Sequence, residues 1–221
     1  MSSSLPELKV DFCSYDAAKL AVLRWHYSHA LPAGKLVKVG CWEGSEFVGC
    51  IIYSLGSNRF IGSPYGLEQT EVCELTRVAL RPHGHFVSSM LAKSLRLLKE
   101  HCPGLRLVVS YADPNQGHHG GIYQATNWIF VGDMAAEQGI MIHGKLTHRR
   151  SLNARYGTSD IGWIKRNLDP HASIVGGLPK HKYLMPLDGK MRRKLLPLSK
   201  PYPKRDVNDS TPALDHAQAA S

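Results

Sequence analysis

EVCELTRVALRPHGHFVSSMLAKSLRLLKEHCPGLRLVVSYADPNQGHHGGIYQATNWIFVG, residues 71–132, is the stretch whose reading decides the fold. Residues 71–80 alternate in hydropathy and are rich in β-forming side chains, which predicts a strand. Pro82 and Gly84 then break the pattern. Residues 87–100 repeat apolar side chains at helical spacing and stop at Pro103 and Gly104, so an amphipathic helix is expected there. Residues 105–111 form a short apolar run of the kind buried on both faces of a sheet. Asp113, Pro114 and Asn115 read as a turn, 118–127 as a short helix and 128–132 as another strand. A run of strand, helix, strand, helix and strand is an α/β signature.

Working outward, residues 16–30 carry Ala17, Leu20, Leu23 and Tyr27 at helical spacing. Residues 36–42 and 46–54 read as a hairpin turning at Glu43, Gly44 and Ser45, and 182–186 as a late strand. The 221 residues suit one mixed α/β domain with an extension rather than two independent cores. The expected division is a catalytic core over 1–141 and a basic extension over 142–198, containing a late core strand near 182–187. A mobile tail rich in Pro, Asp, Ala and Ser is expected over 199–221.

Charge is uneven. Residues 1–141 balance twelve Lys/Arg against twelve Asp/Glu, whereas 142–205 carry fifteen Lys/Arg against Asp160, Asp169 and Asp188. Such asymmetry points the extension at a polyanion, and nucleic acid suits it best. Arg149, Arg150, Arg155, Lys165, Arg166, Arg192 and Arg193 are the candidate phosphate contacts, with Tyr156 and Trp163 interleaved. Those two aromatics can stack on bases or simply pack the extension onto the core. No apolar run approaches the ~20 residues of a bilayer span, and no signal peptide is visible. The five cysteines include no CxxC pair and read as buried thiols. A cytoplasmic protein is expected.

The junction at 77–91 is strand, glycine-containing turn and helix start, a geometry that aims backbone N–H groups at an anion. Arg77, Arg81, Gly84, Ser88 and Ser89 are the candidate donor-binding residues there. The following strand, polar turn and helix, with Tyr123 ahead of residues 127–132, make the chain similar to the GNAT N-acetyltransferase superfamily. That resemblance covers roughly 10–140 plus the late strand, and it implies a mixed central sheet flanked by helices. Residues 110–128, with 74–77 before them and 182–193 after, resemble one branch more closely: the Mom family of phage DNA-modification proteins.

That resemblance implies conversion of adenine in double-stranded phage DNA to N6-carbamoylmethyladenine in the cytoplasm of the bacterial host, shielding the DNA from restriction. Asp113 is then the expected general base or orienter of the exocyclic amine, although Asp-Pro-Asn alone reads as a turn. Tyr123 is the expected proton donor, and His26 and Tyr27 belong near the acceptor. The family has been linked to iron, for which His26, His118 and His119 are candidates, without any metal-binding spacing to support them. The usual phosphate loop has a small residue where this chain has Phe86, which weakens acetyl-CoA as donor. A glycyl donor such as glycyl-tRNA fits the product better, and tRNA would be a second nucleic-acid partner. A homodimer is left open. The rival readings are an acetyl-CoA-dependent acetyltransferase acting on a protein or small amine, and a non-catalytic DNA-binding protein on the same scaffold.

Overall fold

The computed structural model describes residues 5–56, 58–136 and 138–204, apart from the side chain of Arg150. The chain runs through β1 (Leu8–Phe12), α1 (Tyr15–Trp25), the hairpin β2 (Leu36–Glu43) and β3 (Glu46–Ser54), then β4 (Val72–Leu80) and α2 (Val87–His101). Next come β5 (Leu107–Ala112), α3 (Gly121–Gln124) and β6 (Ile129–Asp133). A small module follows, made of β7 (Gln138–Ile142), β8 (Lys145–His148), α4 (Arg149–Tyr156), α5 (Ile161–Asn167) and β9 (Ser173–Gly176). The chain then returns to the main sheet as β10 (His181–Pro186) and continues into α6 (Gly189–Leu195). The expected α/β class holds.

The main sheet has the order β1-β2-β3-β4-β5-β10-β6. Every pair is antiparallel except β4–β5. α2 and α3 cover one face, where Ile51, Tyr53, Met90, Leu91, Val108 and Tyr183 are buried together. On the other face α1 packs over Cys50, Ile52 and Ala79, while α6 and the 61–67 loop cover Leu107, Val109 and Leu184. β4 serves both faces by means of a bulge. Cys73 and Leu75 face α2 at its start, and Val78 and Leu80 do so at its end, one residue out of phase. The extra residue, Thr76, lies between Leu75 opposite Tyr53 and Arg77 opposite Ile52, which restores the alternation.

α1 is shorter than its apolar periodicity suggests. Ser14 caps its start by accepting from Ala17 N. At its other end His26 turns extended, His29 adopts φ 46°, and the His29 ring lies 2.8 Å from Leu23 O. A side chain thus satisfies a carbonyl that another helical turn would have used.

The basic extension is not a simple appendage. Residues 134–180 form an insertion between β6 and β10, strands that lie side by side, and β7 begins ahead of the expected boundary at 142. The insertion has its own three-stranded sheet, β8-β7-β9, over a core of Ile140, Leu152, Ile164 and Ala172. Tyr156 and Trp163 are half-buried against that core with ring centres 5.9 Å apart, which favours packing over base stacking. The mobile tail expected from residue 199 also needs correction at its start. Lys200 N donates to Phe130 O, and the Tyr202 hydroxyl bonds to Trp128 O at 2.6 Å, so 199–204 lie along β6. The remainder of that expected tail, 205–221, lies outside the described residues.

α3 is held against Tyr183 at Gly120, whose φ is 88° and whose missing Cβ would meet the tyrosine ring at 2.4–2.5 Å. Gly120→Ala is therefore expected to cost about 2 kcal/mol or more, through both left-handed backbone and overpacking. Thermal unfolding followed by circular dichroism would show a lowered Tm; an unchanged Tm would contradict this packing.

Candidate active site

The site begins where two strands part. β4 and β5 pair in parallel at three positions, Val72–Leu107, Cys73–Val108 and Glu74–Val109. Beyond them β4 follows β3 and β5 follows β10, leaving a fork in the sheet. A backbone carbonyl at a fork has lost its ladder partner and needs another. Ser110, buried in β5, supplies it: its Oγ is 2.9 Å from Leu75 O and 2.8 Å from the Tyr123 hydroxyl. A carbonyl can only accept, and a serine has one proton, so while Ser110 donates to Leu75 the proton between the two hydroxyls is that of Tyr123. Burial pushes the Tyr123 hydroxyl up to about 12, keeping it protonated at neutral pH.

Asn127 explains the placement of Tyr123. It takes φ 60°, a left-handed conformation that glycine and asparagine tolerate best. The turn brings Trp128 N to Tyr123 O at 3.0 Å and stacks Trp128 beside Tyr123, with ring centres 5.0 Å apart. Trp128 Nε1 is buried without a hydrogen-bond partner among the described residues.

The rim of the fork gathers the other expected residues. His26 is buried and stacks on Tyr27 at 4.3 Å, and Tyr27 meets His118 edge-on at 5.7 Å. Ser28 N donates to His26 Nδ1, so the ring proton sits on Nε2. Burial, then the nearby Arg77 charge, lowers the His26 pKa to about 4. Tyr27 is 51% exposed as a residue, yet burial at its hydroxyl raises its pKa, with the charges of Arg77, Asp113 and Lys180 also bearing on it. Asp113 caps the turn after β5 and accepts from Asn115 N and Nδ2 through Oδ1. Arg77, a donor-binding candidate from the sequence, donates to Thr76 O at 2.7 Å and to Ala30 O, in the segment after α1, at 3.3 Å.

The expected phosphate loop is engaged internally. Gly84 N and His85 N donate to the Glu43 carboxylate at 2.7–3.1 Å, so an anion already occupies these amides at the start of α2. Arg81 is paired with Glu46 and donates to Phe47 O. Ser88 and Ser89 lie in the first turn of α2, half-buried and exposed respectively. Phe86 caps that helix and is 58% exposed, its side chain turned outward. Glu43 carried no sequence signal beyond its turn. Ser110 did, because a serine in a strand buried on both faces must find a partner.

Of the basic residues, Arg155, Lys165, Arg166, Arg192 and Arg193 are exposed, and Arg149 is half-buried with an Nε that lacks a hydrogen-bond partner among the described residues. The Arg150 side chain lies outside the described residues. Asp160 and Asp169 are committed to backbone N–H groups, of Trp163 in the first case and of His143 and His171 in the second. Iron does not fit the donor set. Among the described residues no three His, Cys, Asp or Glu side chains converge as ligands, and His26 Nδ1 faces Ser28, so no chemical step is routed through a metal. No helix among the described residues is long and apolar enough to cross a membrane.

His26 links the site to stability. Its folded pKa, about 4, lies below its ordinary 6.5, so between these values the unfolded chain binds the proton and the folded one does not. The stability present above pH 6.5 should therefore be lost progressively as pH falls toward 4. His26→Gln should flatten that part of a Tm–pH profile, and an unaltered slope would show that His26 titrates normally.

The family model of the Mom protein family matches residues 7–204. A protein of Escherichia phage Mu, "Methylcarbamoylase mom", is 25% identical over 207 residues, covering 90% of this chain and 84% of that protein. The match takes in the fork, its rim and the whole insertion between β6 and β10, and the chain belongs to the Mom protein family.

Proposed function

We propose that this chain is a phage DNA-modification transferase on a GNAT-like fold that converts adenine in double-stranded DNA to N6-carbamoylmethyladenine, countering host restriction. The observation that carries the reading is the forked sheet of a Mom-family chain, with a carboxylate, a protonated tyrosine and the exposed Tyr27 ring at the fork and a basic insertion rooted beside it. Arg149, Arg155, Lys165 and Arg166 would neutralise phosphates, and Tyr27 and His118 offer rings to a base drawn out of the duplex.

The product's connectivity favours a glycyl donor over an acetyl one. Acetyl transfer to N6 would leave N6–CO–CH3, an amide without the terminal carboxamide. In the glycyl route N6 attacks the glycyl ester carbonyl, the ester C–O bond breaks, and the departing oxygen takes a proton, leaving N6–CO–CH2–NH2. The glycyl amine then attacks ring C6, closing a five-membered spiro ring, and the C6–N6 bond breaks as the amine proton passes to the leaving amide. The isomer formed is C6–NH–CH2–CO–NH2, with no oxidant or reductant consumed.

Asp113, on the turn after β5, would accept the proton from the exocyclic amine, and Tyr123, bonded to Ser110 at the fork, would supply the proton to the departing oxygen. Glu43 adds support for a donor other than acetyl-CoA, since a pyrophosphate would have to displace it from the α2 amides. Charged glycyl-tRNA is the donor that fits both this chemistry and the chain's second basic surface on α6.

Purified protein incubated with DNA and either labelled glycyl-tRNA or labelled acetyl-CoA, followed by mass spectrometry of the nucleosides, tests the reading. Label on adenine from the glycyl donor is expected, and Asp113→Ala should lower its rate about 10²–10⁴-fold. Label from acetyl-CoA alone would overturn the donor. Unmodified adenine in DNA from cells making the wild-type chain would favour a DNA-binding protein without catalysis.

A further inference from the structure

The Asn115 side chain ties the insertion to the turn that carries Asp113. The insertion's two connections to the sheet run through Met134 N, which donates to Lys180 O at 2.8 Å, and through His181 and Asp133, 2.6 Å apart. Just above this neck, Asn115 of the 113–118 turn reaches across to residue 178. Its Oδ1 accepts from Leu178 N at 3.0 Å and its Nδ2 donates to Leu178 O at 3.3 Å, so the amide pairs with that residue as a neighbouring strand would. The other Nδ2 proton goes to Asp113 Oδ1 at 2.8 Å, and the Asn115 backbone N–H reaches the same oxygen at 3.0 Å.

This arrangement uses both protons of the amide and one lone pair of its oxygen. The oxygen accepts from the insertion, one proton goes back to the insertion and one goes to the carboxylate. Its orientation follows from chemistry: turned over, the amide would set its oxygen against a carboxylate and its nitrogen against an N–H. An aspartate lacks both protons, and a glutamine is a methylene too long for the same two spans. The side-chain hydrogen bonds to Asp113 among the described residues all end on Oδ1, which leaves Oδ2 to take a proton from substrate.

We propose that Asn115 is a positioning residue that fastens the basic insertion to the catalytic turn and, through the same amide, sets the Asp113 carboxylate. The inference rests on the reading that Asp113 acts on the acceptor and that the insertion holds DNA. Its content is mechanical: a polyanion docked on 134–180 bears on Leu178, and Leu178 bears on the group that takes the proton. The acceptor strand and the catalytic carboxylate are then brought into register together rather than separately.

The test uses the full chain and a DNA duplex as acceptor. Asn115→Ala should lower kcat about 10–100-fold while the Kd for DNA, read by fluorescence anisotropy, stays near the wild-type value, because the basic residues are untouched. Asn115→Asp should lower kcat at least as far, since it sets a second carboxylate against Asp113. Arg155→Ala/Arg166→Ala should weaken DNA binding in either background; its additional effect on kcat at saturating DNA should be present with Asn115 and absent in Asn115→Ala. Wild-type kcat in Asn115→Ala overturns the proposal. So does a parallel loss of kcat, DNA affinity and Tm, which would mark a merely structural role. Wild-type kcat in Asp113→Asn overturns the underlying reading of the site instead, whatever Asn115 does.

Discussion

The three-residue limit on the β4–β5 pairing is the constraint from which the rest of the site follows. Parallel strands that continued together would satisfy each other's backbone and leave no opening. Parting after Glu74 and Val109 leaves Leu75 O without a ladder partner in the interior, and the chain answers with a buried serine. That serine holds a buried tyrosine hydroxyl, and the tyrosine in turn requires α3 to be pinned by Gly120 against Tyr183 and closed by the left-handed turn at Asn127. A backbone debt at one carbonyl thus propagates into the placement of a proton.

Much of the fold was legible because it depends on local pattern. The hairpin of β2 and β3, the amphipathic α2 and the strands at 72–80 and 107–112 each carry a period or a turn that sequence alone reveals. α1 was over-read because its apolar spacing continues past Trp25, while the signal that stops it, a histidine ring turning back onto Leu23 O, has no sequence periodicity. The insertion was read as an extension for a related reason. That β6 and β10 are neighbours is a long-range pairing, and nothing local in residues 134–180 announces that the chain will return to the gap it left.

The site was legible in its members and not in its connections. His26, Tyr27, Asp113 and Tyr123, each named from the sequence, lie around the fork, whereas the Gly84 and His85 amides of the loop before α2 are taken by Glu43. A carboxylate at a hairpin turn and an amide pair ahead of a helix, 41 and 42 positions apart in sequence, give no hint that they meet. Arg77 likewise sits where its strand puts it, but the bulge at Thr76 determines which side of the cleft it serves.

The position of β10 has a consequence for how the molecule comes into being. Among the described residues it is the last strand to be synthesised, yet it lies between β5 and β6, paired with β5 over 181–186 and with β6 over 181–184. Until it arrives, those two strands flank an open slot, and Tyr183, which walls Tyr123 and Gly120, has not been made. The basic insertion leaves the ribosome before this closing strand, so the fork is completed by the residue run that follows the insertion. Chain order makes the final wall of the fork a late-arriving wedge, and a nascent chain can form its basic insertion before it has a finished sheet.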